Sequence, residues 1–93
     1  MYLGDLFLTR GIVELIGDGA VTKQQIMQCV TRHQDGDYGL TCTEDVFVNN
    51  TNLRYNMGTV MSEYVLNGIR IWVHTCLGDF DTTYSTVLLP EEY

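Results

Sequence analysis

Thr59-Val60-Met61-Ser62-Glu63-Tyr64-Val65-Leu66-Asn67-Gly68-Ile69-Arg70-Ile71-Trp72-Val73-His74-Thr75-Cys76 decides the fold, because it reads as two β-rich runs joined by Asn-Gly. A type I′ turn needs positive φ at both central residues, and Asn followed by Gly meets that need at the least steric cost. The two-residue loop then fixes the register. Leu66 opposes Ile69, Tyr64 opposes Ile71, Ser62 opposes Val73 and Val60 opposes Thr75 on one face, which is predicted to be the core. The other face carries Val65 with Arg70, Glu63 with Trp72 and Met61 with His74. That mixed aromatic and charged surface has two readings: a binding patch made of hot-spot residue types, or the underside of a covering helix with Trp72 as core.

Working outward, a third strand over about 82–89 follows the Gly78-Asp79-Phe80-Asp81 turn and stops at Pro90, before Glu91-Glu92-Tyr93. Alternating Thr and Ser in Thr82-Thr83-Tyr84-Ser85-Thr86 marks a partly exposed strand, an edge open to homodimerisation. On the N-terminal side, Thr22-Lys23-Gln24-Gln25 is a capping box that predicts a helix over about 23–34, with Ile26, Met27 and Val30 on one face. Gln34-Asp35-Gly36-Asp37-Tyr38-Gly39 is turn chemistry. Thr43-Glu44-Asp45 then offers an N-cap and two first-turn carboxylates to a third helix carrying Val46, Phe47 and Leu53. At the start, Leu6-Phe7-Leu8-Thr9 reads as a strand or extended arm feeding a short helix of Ile12, Val13, Leu15 and Ile16, stopped by Gly17-Asp18-Gly19. The expected architecture is α+β: one domain over 1–93, with N-terminal short helices packed on one face of a C-terminal three- to four-stranded antiparallel sheet.

Five Lys and Arg against 12 Asp and Glu give a net charge of −7, which repels a phosphate backbone and excludes direct nucleic-acid binding as a function class. No apolar run has the length of a membrane span, and Met1-Tyr2-Leu3-Gly4-Asp5 places no basic segment ahead of an apolar one. A cytoplasmic protein is therefore expected. Cys29, Cys42 and Cys76 cannot all pair and show no C-x-x-C spacing, so three reduced thiols are expected, two of them buried.

Cys29 and His33 lie four apart on the predicted helix, and His74 and Cys76 two apart on a strand, a set able to form a Cys2His2 zinc site. Ordinary packing explains the same residues, their spacing matches no metal signature, and neither metal nor cofactor is expected. His33 beside Asp35 and Asp37 has the makings of a general base, with Cys42 or Cys76 as nucleophile; the plainer reading is a helix C-terminal His beside a solvated turn. The acidic residues fall in two blocks: Asp35, Asp37, Glu44 and Asp45, then Asp79, Asp81, Glu91 and Glu92. Such carboxylates either imitate a phosphate backbone towards a nucleic-acid-binding protein or form a solvated surface that maintains solubility.

Arg32-His33-Gln34-Asp35-Gly36-Asp37-Tyr38-Gly39, Glu44-Asp45, the segment around Asn49 and Asn52, Ser62-x-Tyr64, Ile71-Trp72 and Thr83 to Thr86 running into Leu88-Leu89-Pro90-Glu91-Glu92-Tyr93 follow one another in a distinctive order. This order resembles a family of small plasmid- and phage-borne proteins, described as plasmid-related, with an R-H-x-x-G-D-W-G stretch, an S-A-Y strand, an I-W strand and a T-T-x-L-L-P-E-E-Y end. The likeness covers nearly the whole chain. Tyr38 stands where the family pattern has Trp, the turn after Trp72 is longer, and Cys29 and Cys76 fall outside the pattern. The resemblance implies a mobile-element setting and supplies no mechanism. Together with the charge it leads to the expectation of a non-enzymatic inhibitor of host defence, of anti-CRISPR type. Its partner is expected to be a nucleic-acid-handling protein such as a CRISPR effector component, met through Asp35, Asp37, Tyr38, Glu44, Asp45, Glu63, Trp72, Asp79 and Asp81. The alternatives are a plasmid-maintenance adaptor or regulatory interaction protein, and a small hydrolase using His33.

Overall fold

In the computed structural model, which describes residues 1–93, the chain runs β1 (Asp5–Leu8), α1 (Arg10–Gly17), α2 (Lys23–Gln34), α3 (Thr43–Tyr55), β2 (Thr59–Leu66), β3 (Ile69–Cys76), β4 (Tyr84–Leu88) and a 3-10 turn (Pro90–Glu92). The fold is α+β, with helices in the N-terminal half and most strands in the C-terminal half. Asn67 and Gly68 take φ of 53° and 81°, and the hairpin register is the one the turn dictates, from Leu66 against Ile69 to Thr59 against Cys76.

The sheet order is β1-β4-β3-β2. Three strands are antiparallel neighbours, while β1 runs parallel to β4, with Leu6 beside Ser85 and Leu8 beside Val87. The expected all-antiparallel sheet is corrected in that one pair, because β1 leads into helices that cross over before the meander begins. The same topology corrects the expected open edge: β4 is an inner strand, and the edges are β1 and β2.

Helices α1 and α2 cover the predicted core face. Ile12, Val21, Ile26, Cys29 and Val30 pack against Tyr64, Ile71, Val73 and Val87 in one cluster. The α2 capping box is complete: the Gln25 amide donates to Thr22 Oγ1 at 3.0 Å and the Thr22 amide to Gln25 Oε1 at 2.9 Å. Along α2, Met27 faces out, and it is Cys29 and His33 that complete the buried face with Ile26 and Val30. Val13 of α1 is likewise exposed.

Helix α3 departs furthest from expectation. Cys42, not Thr43, occupies its N-cap, Phe47 is exposed, and its one buried residue is Asn49. The residues it turns inward are Asn49 and Asn52, and its exposed left-handed C-cap, Asn56, adds a further bond. Asn49 receives the Met61 amide at 3.0 Å and donates to the Met61 carbonyl at 2.8 Å; Asn52 donates to the Thr59 carbonyl at 2.7 Å and Asn56 to the Gly78 carbonyl at 3.1 Å. Farther along the same edge, the Leu40 amide donates to the Glu63 carbonyl and the Glu63 amide to the Tyr38 carbonyl. The outer edge of β2, otherwise open to another strand, is thus satisfied by side chains and a loop.

Candidate functional site

The sheet divides the chemistry of the chain between its two faces. On the core face, His33 has no exposed surface; its Nδ1 lies 2.5 Å from Ser62 Oγ and its Nε2 2.8 Å from Thr75 Oγ1. Thr75 Oγ1 lies 2.7 Å from Ser85 Oγ, which lies 2.7 Å from the Leu3 carbonyl. A carbonyl only accepts and each hydroxyl has one proton, so the directions follow. Ser85 donates to Leu3, Thr75 to Ser85, His33 Nε2–H to Thr75, and Ser62 to His33 Nδ1. This assigns the neutral Nε2–H tautomer, and burial, with smaller repulsions from His74 and the N-terminal amine, pushes the imidazole pKa down to about 4. His33 does lie in the last turn of α2 beside the exposed 34–37 turn, as the sequence predicts, but its ring is turned into the core rather than towards that turn. Both its nitrogens are engaged beneath the sheet surface, and no substrate reaches them here.

The zinc set is split by the same sheet. Cys29 and His33 lie on the core side, whereas His74 and Cys76 alternate with the buried Val73 and Thr75 and so face the other way. No group of three or more His, Cys, Asp or Glu side chains is placed to hold a metal ion. Of the thiols, Cys29 is buried, Cys76 half-buried and Cys42 exposed.

On the outer face, no helix lies across the strands: α3 borders β2, and Phe7, Tyr84 and Val65 are exposed. Trp72 is half-buried, its indole N–H donating to Glu63 Oε1 at 2.8 Å, and the Arg70 Nε donates to the same oxygen at 3.0 Å. The indole hydrogen bond, assisted by Arg70 and opposed by desolvation, holds the Glu63 carboxyl below its usual range. Tyr93 sets its ring edgewise to Trp72 at 5.6 Å and to His74 at 5.9 Å. An open cleft of about 430 Å³ remains, with Met61, Glu63, Trp72 and Arg70 from the sheet, Asp45 and Leu40 on one side and Tyr93 among its walls.

The predicted site residues are distributed unequally. Tyr38, expected as an anchor, is 6% exposed with its ring edgewise to His33, so it belongs to the core. Asp37 takes both Nε and Nη2 of Arg32, at 2.7 and 3.2 Å, and the Gly39 amide as well; these bonds hold its carboxyl below the usual range. Glu63 is committed to Arg70 and Trp72. Asp35, Glu44, Asp45, Asp79 and Asp81 remain exposed. Three of the twelve carboxylates, Glu14, Asp37 and Glu63, pair with arginines, which leaves nine without a basic partner against Lys23 and Arg54.

Residues 1 and 2 contact two of the acidic segments of the chain. The Met1 amine donates to the Gln34 carbonyl at 3.2 Å, and the adjacent Tyr2 stacks on Phe80 with centroids 5.0 Å apart. Residues 1 and 2 thereby join Asp35, the C-cap of α2, to the Asp79–Asp81 turn, and Asp5 lies with Asp81 in the same shallow depression. Glu44 and Asp45 lie in the first turn of α3, and Asp45 borders the outer-face cleft. Glu92, read in the sequence as part of an acidic tail, instead caps α1: its carboxylate receives the Gly11 amide at 3.0 Å, the Thr9 hydroxyl at 2.6 Å and the Leu89 amide at 2.9 Å. Charge counting missed that role, because Gly11 and Thr9 lie 81 and 83 residues from Glu92 in the chain.

Comparison with protein-family models, with curated proteins and with solved structures returns no match. No helix is long and apolar enough to cross a membrane.

Proposed function

We propose that this chain is a non-enzymatic inhibitor that binds the basic groove of a nucleic-acid-handling protein, its exposed carboxylates standing where phosphates would lie. The observation that carries this reading is the surplus of nine carboxylates without a basic side-chain partner, Asp35, Asp79 and Asp81 among them, against the unpaired Lys23 and Arg54. Exposed, unpaired carboxylates attract a basic partner and repel nucleic acid. The family resemblance adds the setting: a mobile element, a cytoplasmic host-defence target and an anti-CRISPR type of action, with a CRISPR effector component as partner.

The test is affinity capture of the tagged protein from a bacterial lysate carrying defence systems, at low and high salt and after nuclease treatment. Retention of a nuclease or effector component independent of nucleic acid, weakened by salt and lost in the triple variant Asp35→Lys, Asp79→Lys, Asp81→Lys, is the expected result. Unchanged retention by that variant overturns the mimic mechanism. The exposed outer face with Phe7, Tyr84 and Tyr93 favours a second reading, a plasmid-maintenance adaptor whose acidity serves solubility. It requires a plasmid-encoded partner held with little dependence on salt.

A further inference from the structure

We infer that the outer-face cleft is a receptor pocket for an arginine side chain presented by the partner protein. The inference deepens the proposed role and rests on it for the source of the cation. At about 430 Å³ the cleft has the size of a small-ligand site, suited to one inserted side chain rather than a helix. Its materials match a guanidinium on a methylene stem. Trp72 and Tyr93 offer aromatic surface to a delocalised cation, and Leu40 and Met61 offer apolar surface to the stem.

The polar groups point the same way. Asp45 takes part in none of the three ion pairs of the chain and borders the cleft unpartnered. Glu63 receives all three of its N–H donors, two from Arg70 and one from Trp72, on Oε1, so Oε2 keeps its acceptor capacity. Arg70, on the rim and largely exposed, is a resident guanidinium that shows the chemistry Glu63 accepts. With two carboxylates and one cation around it, the cleft repels an anion, and a purely apolar occupant would desolvate Asp45 without compensation. Arginine is favoured over lysine because its planar fork both stacks on rings and addresses two carboxylates.

Trp72 is the single tryptophan, so its emission reports directly on the pocket. The full chain is titrated with N-acetyl-argininamide and, separately, with the neutral isostere N-acetyl-citrullinamide. The expected result is a saturable emission change with the first and none with the second. Asp45→Asn, at an exposed position, should weaken binding about fivefold, and Arg70→Ala should strengthen it by about as much, because Glu63 then loses its resident cation and keeps only the indole N–H. An equal response to both probes, a response that never saturates, or unchanged or weaker binding in Arg70→Ala overturns the inference. The titration contains no partner, so its failure is separate from a failure of the triple variant in the capture experiment.

Discussion

The two faces of one sheet are built to opposite ends. On the inner face every polar group is matched within the chain: a single run of hydrogen bonds passes from Ser62 through His33, Thr75 and Ser85 to the Leu3 carbonyl. On the outer face the polar groups are only partly matched: Asp45 is unpaired and Glu63 half used, both within reach of solvent, and the buried His74 Nε2 has no partner. Residues of one strand serve both, since Val73 and Thr75 point inward while Trp72 and His74 point outward. A buried polar network tolerates no vacancy, because each unmatched group costs its full desolvation, whereas an exposed one has water as a partner. Fold specification belongs to the inner face, and the outer face is free to meet something else.

That contrast breaks most readily at His33. His33→Ala removes a fully buried ring and strands Ser62 and Thr75 without their partner, which combines a cavity with unsatisfied hydroxyls. A loss of about 4 kcal/mol is expected, a large share of the total stability of a domain this size. Denaturant titration followed by circular dichroism measures it. A variant as stable as the parent would show that the inner chain carries little of the fold.

The next effect is the pH dependence of stability. In the fold the His33 pKa is about 4, whereas in the unfolded chain the imidazole titrates near its ordinary 6.5. Between those values the unfolded state binds the extra proton, so the contribution of His33 is fully present above pH 6.5 and is lost as pH falls towards 4. The difference corresponds to at most about 3 kcal/mol. His74, also lowered by burial, acts in the same direction, so the share of His33 is the change in slope between the parent and His33→Gln. Midpoints of urea unfolding measured across this range give that slope. An equal slope in both proteins would place the titration elsewhere.

What the sequence discloses follows the same division. The hairpin and α2 are legible because their signals are local: Asn67-Gly68 determines one turn, and Thr22 with Gln25 closes one cap. The role of His33 is not legible, since its partners Ser62 and Thr75 lie 29 and 42 residues away and read as ordinary strand residues. Helix α3 misleads for a related reason. Its inward residues are Asn49 and Asn52, which apolar periodicity passes over in favour of Phe47. Of the acidic site, the exposed charge was legible, but not which carboxylates are spent on Arg32, Arg70 and the α1 N-terminus.

Several residues of the stretches quoted from Arg32 to Tyr93 are spent on contacts within the chain. Arg32 pairs with Asp37 and lies 4.7 Å above the Tyr64 ring, the Tyr64 hydroxyl donates to the Asp37 carbonyl at 2.6 Å, and Ser62 meets His33. Gly39 takes φ +64° where a Cβ would collide with the Glu63 carbonyl and the Tyr64 ring. Glu92 closes the terminal segment onto α1. The same stretches also supply Asp45, Trp72 and Tyr93 to the outer cleft, so they serve scaffold and outer face together.

Tyr93 supplies the smallest and most discriminating effect. It is 75% exposed and touches the sheet only through edgewise contacts with Trp72 and His74. An aromatic pair at such a site is worth about 0.5–1 kcal/mol, so Tyr93→Ala should lower the melting temperature by only ~4 °C, far less than any inner-face substitution. Losing the ring that shelters Trp72 should nevertheless shift the indole emission to longer wavelength, because water then reaches it. A small stability change with a clear spectral change is what an outer face unburdened by the fold requires. Destabilisation approaching that of His33→Ala would instead make the terminal clasp part of the core, and the two faces would no longer differ in kind.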